Sequence, residues 1–220
     1  MNVYLARRGY NYSPPTIHKY MNTEMGVRSV VRPKKPDYVQ GKPHRIFENK
    51  VRQNFTAERP NQKWYIDFTY LFLKNHGLGY NCTIIDLYDQ SVVASIADRR
   101  TTSNFVIRTA QKALASQSAI NGGIILHSDQ GTQYTSRAFI EFCEFVNITQ
   151  SLSRSGYPYD NALMERYFNT LKNECTNLYE FATEETFYQK VEEFSYVDYN
   201  HVCPHSFNGY RAPYEIRMSA

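Results

Sequence analysis

The stretch Ile124-Ile-Leu-His-Ser-Asp-Gln-Gly-Thr-Gln-Tyr134 joins a short apolar run to a polar turn, with Asp129 at the junction. A short apolar run that follows glycine and ends in polar residues is typical of a buried β-strand. The pattern therefore predicts a strand with Asp129 at its carboxyl end, where open α/β sheets usually gather their ligands.

Hydrophobic periodicity predicts the elements on either side of this strand. Upstream, β-rich runs at about 64–73, 79–87 and 91–98 are separated by short polar turns, which predicts two hairpins. Further elements are a helix over 103–117, a helix over 136–146, a strand over 148–152, and a later helix that Asp160 or Asn161 could cap. This order predicts an α/β domain, a mixed sheet flanked by helices.

The charge of the chain is divided unevenly. Residues 1–63 carry 13 Lys or Arg against 4 Asp or Glu, whereas residues 64–220 carry 12 against 17. A basic segment suits a polyanion such as nucleic acid, although a merely soluble basic arm is the alternative. We expect two parts: residues 1–60 as a basic DNA-binding extension and connector, and residues 61–220 as a catalytic core.

Within the extension, Ser13 and two following prolines predict a capped helix that ends at Gly26. Four prolines between residues 31 and 60 predict an irregular connector. The four cysteines form no Cys-x-x-Cys pair, which argues against a zinc site or disulfide framework. Neither a membrane-spanning run nor a signal peptide is evident, so a cytoplasmic, nucleoid-associated location without membrane contact is expected.

Three carboxylates share one kind of setting. Asp67, Asp129 and Glu165 each lie at the edge of an apolar or aromatic run, and 35 residues separate the last two. Mg²⁺ and Mn²⁺ prefer carboxylate oxygens, and a pair of such ions can promote displacement at a phosphodiester. Any one of the three could instead be a solvated charge or a helix cap. Together they suggest a divalent-metal site for phosphoryl transfer.

The sequences around these carboxylates resemble a known family, the bacterial insertion-sequence transposases that are similar to retroviral integrases. More specifically, they resemble the second-frame product of two-frame elements with an Asp, Asp, 35-spaced Glu triad. The pieces that carry the resemblance are Asn61-Gln-Lys-Trp-Tyr-Ile-Asp-Phe-Thr-Tyr70, Ile85-Asp-Leu87, His127-Ser-Asp-Gln-Gly-Thr-Gln-Tyr-Thr-Ser136, Tyr159-Asp-Asn-Ala-Leu-Met-Glu165 with Phe168 and Leu171-Lys-Asn-Glu174, and Tyr199-Asn-His-Val-Cys-Pro-His-Ser206 through Ala212-Pro-Tyr-Glu215.

The resemblance implies a ribonuclease H-like five-stranded sheet in which Asp67 and Asp129 lie on adjacent strands and the helix of Glu165 closes the site. It implies that these three residues bind two Mg²⁺ (or Mn²⁺) ions and that no nucleotide cofactor is needed. It further implies that water nicks the DNA at an element end, and that the exposed 3′-hydroxyl then attacks a target phosphodiester. Synapsis of two ends predicts a homo-oligomer on DNA.

This chain departs from the family in two respects. Cys203 stands where the family usually has arginine, which weakens one contact to DNA or to the core. The amino terminus resembles only the end of the basic region of longer members, so specific recognition of element ends is expected to need a longer, frameshifted product.

Several further residues are candidates for DNA contact, each with an alternative role. Asn169 and Lys172 share the helical face of Glu165, or they are solvated. His127 orients a metal ligand or a substrate phosphate, or it satisfies backbone groups at a strand end. Asn161 touches substrate, or it caps a helix, which is the simpler explanation. The remaining candidates are the basic residues Arg32, Lys34 and Lys35.

Asp86, Trp64 and most of the tyrosines have structural explanations that suffice. Asp86 resembles a family position, but a structural hydrogen bond accounts for it. For Trp64 and most of the 19 tyrosines, core packing is favoured over base stacking.

Rival functions are a ribonuclease H-like nuclease that cleaves without joining and a catalytically silent DNA-binding remnant. Strand transfer separates the first from a transposase, and the presence of all three carboxylates argues against the second.

Overall fold

The structure is a computed structural model that describes residues 1–27, 47–52, 54–73, 77–117, 120, 122–153 and 161–220. Its centre is a five-stranded sheet in the order β3-β2-β1-β4-β5. The strands are β1 (Lys63–Leu73), β2 (Gly77–Asp86), β3 (Val92–Asp98), β4 (Ile124–Ser128) and β5 (Ile148–Leu152).

The first three strands form the two predicted hairpins, since β1 pairs antiparallel with β2 and β2 pairs antiparallel with β3. Strand β4 then pairs parallel with β1, and β5 pairs parallel with β4. A parallel neighbour needs a crossover connection, and the helices α3 (Ser103–Ala115) and α4 (Arg137–Phe145) provide the two crossovers. The predicted mixed sheet is therefore confirmed, with β1 at its centre.

The sheet separates two hydrophobic clusters because successive side chains of β1 point to opposite faces. Trp64 and Ile66 pack with residues of α3 and α4 on one face. Tyr65 and Leu71 pack on the other face with residues of α5 (Ala162–Leu171) and α6 (Glu184–Glu193). The expectation that Trp64 is a core residue is confirmed, because its side chain has no exposed surface.

Short polar side chains begin most of these helices, as N-capping predicts. Thr102 accepts a hydrogen bond from the Phe105 amide at the start of α3, and Ser136 accepts one from Phe139 at the start of α4. In the amino-terminal region, Ser13 caps α2 (Pro14–Lys19), and a π-helical turn follows it before Gly26 adopts a positive φ. The predicted helix is present with this irregularity.

A buried ionic group joins the end of the chain to the turn after β2. The helix α7 (Pro213–Arg217) ends in Arg217, whose Nη2 lies 2.5 Å from Asp86 Oδ2 and whose Nε lies 2.7 Å from Asp89 Oδ2. Its Nη1 also donates to Gln117 Oε1 at 2.5 Å. We call Asp86, Asp89, Gln117 and Arg217 the C-terminal clasp; it confirms the structural role expected for Asp86.

Two further contacts involve the carboxyl-terminal segment, at residues 199–210. The His205 ring packs edge-on against Tyr199 with 4.4 Å between ring centroids, and burial lowers the His205 pKa to about 4. Helix α1 (Asn2–Arg7) reaches the same segment, where Arg7 donates to the Tyr210 carbonyl oxygen at 3.2 Å.

The four cysteines are free thiols that differ in burial. Cys82, Cys143 and Cys175 are buried free thiols, and Cys203 is half-buried. Burial raises the pKa of the Cys203 thiol to about 11, and a hydrogen bond with Tyr4 of α1 opposes that shift. The position at which the family usually has arginine therefore faces the amino-terminal helix in this chain. Among the described residues, no helix has the length and apolarity needed to cross a lipid bilayer.

Candidate active site

Two of the predicted carboxylates meet at the carboxyl ends of β1 and β4. The last aligned pair of these parallel strands is Tyr65 with His127, and Asp67 and Asp129 each follow two residues later. Hydrogen-bonded strands lie about 4.8 Å apart and side chains repeat every second residue. This register places the two carboxylates beside each other, on the face of the sheet that α5 covers.

Asp67 is fixed in position by two amide donors. The residue is only 8% exposed. Its Oδ1 accepts a hydrogen bond from the Phe68 amide at 2.7 Å, and its Oδ2 accepts one from Asn161 Nδ2 at 3.0 Å. The second bond ties the start of α5 to the central strand.

Asn161 corrects the sequence prediction. It occupies the residue before α5, as a cap would, but its side chain makes no capping hydrogen bond. Its amide nitrogen is committed to Asp67 instead. Its Oδ1 is buried and has no hydrogen-bond partner among the residues that the structure describes. A buried acceptor left in this state calls for an explanation such as an ion or water. Asp160, the other cap candidate, lies outside the described residues.

Asp129 is held by the turn that follows β4. Its Oδ1 accepts a hydrogen bond from the Gly131 amide at 2.8 Å. A Cβ atom at Gly131 would lie 2.9 Å from that same oxygen, so glycine is required for the close approach. Burial raises the Asp129 pKa, and the Gly131 hydrogen bond opposes the rise. Across the described ranges, no Lys or Arg forms an ion pair with Asp129.

Glu165 lies in the first turn of α5 and is half-buried. The buried side of that helix consists of Met164, Tyr167, Phe168 and Leu171, which pack in the same cluster as Tyr65. Glu165 therefore belongs to the helix that covers the Asp67 face of the sheet. The described residues contain no group of three His, Cys, Asp or Glu side chains that could jointly hold a metal ion. The triad role of Glu165 stays a prediction.

Tyr134 is a residue of this site that sequence reasoning missed. Its side chain is fully buried, and its hydroxyl has no hydrogen-bond partner within the described part of the chain. Burial raises its pKa well above 10, and Cys82, Asp67 and Asp129 each raise it further. Tyr134 is thus a neutral hydroxyl close to both aspartates. Its place five residues after Asp129 in a motif already singled out was the available signal.

His127 lies behind the two aspartates. The residue has no exposed surface, its Nδ1 lies 2.9 Å from Ser151 Oγ, and its ring packs edge-on against Tyr65 with centroids 4.9 Å apart. His127 therefore packs among the strands behind the carboxylates, and its role toward a ligand or a phosphate stays a prediction.

The other candidate DNA contacts stay predictions. Asn169 and Lys172 are half-buried at the end of α5, and Asn169 Oδ1 accepts a hydrogen bond from Asn173 Nδ2 at 2.9 Å. Arg32, Lys34 and Lys35 lie outside the described residues.

A sheet in the order β3-β2-β1-β4-β5 with aspartates at the ends of β1 and β4 defines the class of integrase-type cores, and comparison with known proteins agrees. Residues 57–158 match one family model described as an integrase core domain, and residues 146–213 match a second with that description. Among solved structures, the chain resembles a simian T-cell lymphotropic virus intasome (TM-score 0.62, 18% identity, 100% of this chain and 71% of that one). It also resembles the HTLV-2 integrase catalytic core in complex with magnesium (TM-score 0.56, 18% identity, 73% of this chain and 99% of that one). At such identities the likeness concerns the fold, which is ribonuclease H-like.

Sequence relatives narrow the class. InsK of Escherichia coli K12, assigned as the transposase of insertion sequence IS150, is 30% identical over 89% of this chain and 67% of its own length. The Lactococcus lactis transposase of IS904 is 33% identical over 75% of this chain and 64% of its own length. The Escherichia coli K12 transposase InsF of IS3A is 33% identical over 76% of this chain and 58% of its own length. The chain belongs to the family of insertion-sequence transposases with an integrase-like core, and it spans about two thirds or less of these relatives.

Proposed function

We propose that this chain carries the catalytic core of a transposase that cuts DNA at the ends of an insertion sequence and joins the new 3′-hydroxyl to target DNA. The observation that carries the proposal is the register of β1 and β4, which brings Asp67 and Asp129 together at the strand ends. The tie between Asn161 and Asp67 supports it, because it holds the start of the Glu165 helix over the same place.

The side chains present suit a hard divalent cation such as Mg²⁺ or Mn²⁺. Asp67, Asp129 and Glu165 offer only oxygen ligands, and the buried Asn161 Oδ1 is a further oxygen beside Asp67. Asp129 is half-buried, and desolvation raises its pKa, so its anionic form would be stabilised by a cation. We propose that these carboxylates hold two ions. When bound, such ions lower the pKa of water and stabilise the attacking and leaving oxygens of an in-line displacement.

The residues of the chain set the geometry around that chemistry. The Gly131 amide orients Asp129, and the Phe68 and Asn161 amides orient Asp67. Tyr134 keeps its proton at all ordinary pH values, so it serves as a neutral hydrogen-bond group rather than a base. The amino-terminal end of α5 adds the positive end of a helix dipole near Glu165.

DNA is the proposed partner. The first 63 residues have nine more basic than acidic residues, which suits the phosphate backbone. Two element ends must meet for joining, so we propose a homo-oligomer on DNA. The HTLV-2 integrase core has been solved in dimeric and trimeric forms, which is consistent with an assembly of this kind.

The test is divalent-metal-dependent nicking and joining of DNA that carries the ends of the element, with the wild type, Asp129→Asn and Glu165→Gln. We expect both variants to lose roughly 100- to 1,000-fold or more of both activities, because each removes a charge that stabilises the transition state. Glu141→Gln is the matched control, since Glu141 is 59% exposed on α4 and pairs only with Arg137 among the described residues.

The outcomes separate the rival functions. Joined products that disappear in both active-site variants but persist in the control support a transposase. Nicking without joining favours a nuclease, and metal-independent binding without cleavage favours a silent remnant.

A further inference from the structure

A small pocket lies beside Asp129 at the carboxyl ends of β4 and β5. Its volume is about 330 Å³. Gln130 and the β5 end contribute one wall, where Gln130 Nε2 donates to the Ser153 carbonyl oxygen at 3.0 Å. The connector contributes the other wall. The residues that line the pocket are Phe47, Glu48, Asn49, Arg52, Gln130, Leu152 and Ser153.

The connector wall is attached firmly to the core. The Lys50 amide donates to Ser151 Oγ at 2.9 Å, the same hydroxyl that contacts His127 behind the active site. Val51 is only 2% exposed. Asn49 Oδ1 accepts a hydrogen bond from the Arg52 amide at 2.8 Å, and Arg52 has a φ of 46°. A non-glycine residue in this left-handed region is uncommon and is often found at functional sites.

The lining combines an aromatic ring, amides and a guanidinium group. Phe47 is half-buried and contributes an aromatic ring, Asn49 and Gln130 carry amide groups, and Arg52 is a cation with 73% of its side chain exposed. Aromatic rings stack on nucleic-acid bases, amides bond to base edges, and guanidinium groups bind phosphate through two hydrogen bonds.

The pocket is too small for duplex DNA. Its volume falls at the lower end of the range of roughly 300–1,000 Å³ that is typical of small-ligand sites. One nucleotide fits such a site only after it has left its base pair, which costs least near a strand end or a nick.

We propose that this pocket binds one unpaired nucleotide of the DNA strand next to the phosphate at Asp67 and Asp129. The base stacks on Phe47, and Arg52 exchanges its exposed partner Glu48 for the nucleotide's phosphate. This proposal rests on the function proposed above, and it assigns the connector a direct part in holding the substrate.

The experiment uses the full chain without divalent metal, so that no cleavage occurs. The probe is a short synthetic duplex with one unpaired 2-aminopurine nucleotide at a 3′ end, compared with the same duplex fully paired. We expect the wild type to quench 2-aminopurine emission. Phe47→Ala should abolish the quench and weaken binding of the unpaired probe about tenfold, the order expected for loss of one stacked base.

Two further variants test the charged residues. Arg52→Gln should weaken binding of the unpaired probe several-fold. Glu48→Gln should strengthen it about two- to threefold, because it removes an anion that competes for Arg52 through an exposed ion pair. Since Glu48 is 64% exposed, this substitution does not disturb the core.

Arg108→Ala is the matched control. Arg108 pairs with Asp98 and is 44% exposed, and it lies by β3, at the opposite edge of the sheet from the pocket. It should leave binding of both probes within about twofold of the wild type, as expected of an exposed ion pair away from the pocket.

Unchanged quenching in Phe47→Ala would overturn the proposal, as would equal losses for the paired and unpaired probes. Because the assay contains no metal, it is independent of nicking. If the active-site variants keep their full nicking activity, the proposed function is refuted. The quenching result separately supports or refutes nucleotide binding in the pocket.

Discussion

The chain contains two pairs of buried or nearly buried aspartates in the same sheet, and they differ in what neutralises them. Asp86 and Asp89 share Arg217, with one guanidinium nitrogen within 2.7 Å of each carboxylate. At the other pair, Asp67 accepts hydrogen bonds from two amides and Asp129 accepts one from Gly131. The clasp contains its own cation, whereas no described Lys or Arg pairs with Asp129.

Whether an aspartate is paired with a cation of the protein distinguishes a structural from a chemical role of that aspartate better than residue type or burial does. A carboxylate with a built-in guanidinium partner is satisfied and unavailable to a metal ion. A desolvated carboxylate such as Asp129, which pairs with no described Lys or Arg, is stabilised when a cation arrives. Three substitutions or conditions test the contrast.

The largest expected effect is on the clasp. Arg217→Met should lower the free energy of unfolding by about 3–5 kcal/mol, because it leaves two buried carboxylates without a cation. Chemical denaturation followed by circular dichroism measures the change. Arg108→Ala, which breaks an exposed pair, should lower it by less than about 1 kcal/mol.

A companion variant checks the cause. Combining Arg217→Met with Asp86→Asn and Asp89→Asn should recover part of the loss, since the uncompensated charges are removed as well. If the triple variant is no more stable than Arg217→Met, charge burial is not the reason for the instability.

The second effect concerns pH and also lies on the clasp side. Burial lowers the His205 pKa from 6.5 to about 4. Below pH 6.5 the unfolded chain therefore binds a proton at His205 that the folded chain does not bind. The contribution of neutral His205 to the free energy of unfolding is therefore complete above pH 6.5, and it is lost as the pH falls toward 4. Between pH 7 and pH 5 the free energy of unfolding should fall by about 2 kcal/mol.

Urea denaturation at the two pH values measures this loss, and His205→Gln isolates it from other titrating groups. The variant should show a smaller drop between pH 7 and pH 5 than the wild type. An equal drop in both proteins would assign the pH dependence to groups other than His205.

The smallest effect is the sharpest test of the contrast between the two aspartate pairs. Asp129→Asn should leave the metal-free protein as stable as the wild type or up to about 1 kcal/mol more stable, because it removes a desolvated charge. Asp89→Asn, the same substitution in the clasp, should destabilise the protein. Thermal unfolding in EDTA compares them, and a stability loss in Asp129→Asn as large as in Asp89→Asn would remove the distinction between the pairs.

Local sequence patterns predicted the strands and the crossover helices well. The predicted strand at 148–152 coincides with β5 (Ile148–Leu152), and predicted ends elsewhere differ from the observed ones by at most three residues. These elements are set by alternation, helical spacing and capping at Thr102 and Ser136, all of which are visible within a few residues.

What the sequence could not supply depends on contacts between distant residues. Asn161 looked like a helix cap because its local setting suits one, but Asp67, 94 residues earlier, accepts its amide hydrogen. The guanidinium partner of Asp86 lies 131 residues later, and it becomes evident only once the sheet is assembled that the Tyr134 hydroxyl has no hydrogen-bond partner among the described residues. The division at residue 60 stays a prediction, although the connector residues 47–52 pack against the core.

The clasp also has a consequence for how the protein is made. Arg217 is the last residue of α7 and is synthesised long after β2 and the turn that follows it, which carry Asp86 and Asp89. Until α7 has been synthesised, a folded core would bury two acidic groups without their cation, so the domain gains this part of its stability only once α7 is in place. A transcript interrupted before this codon would yield an unstable product that proteases remove, which makes the guanidinium group of Arg217 a checkpoint for an intact reading frame.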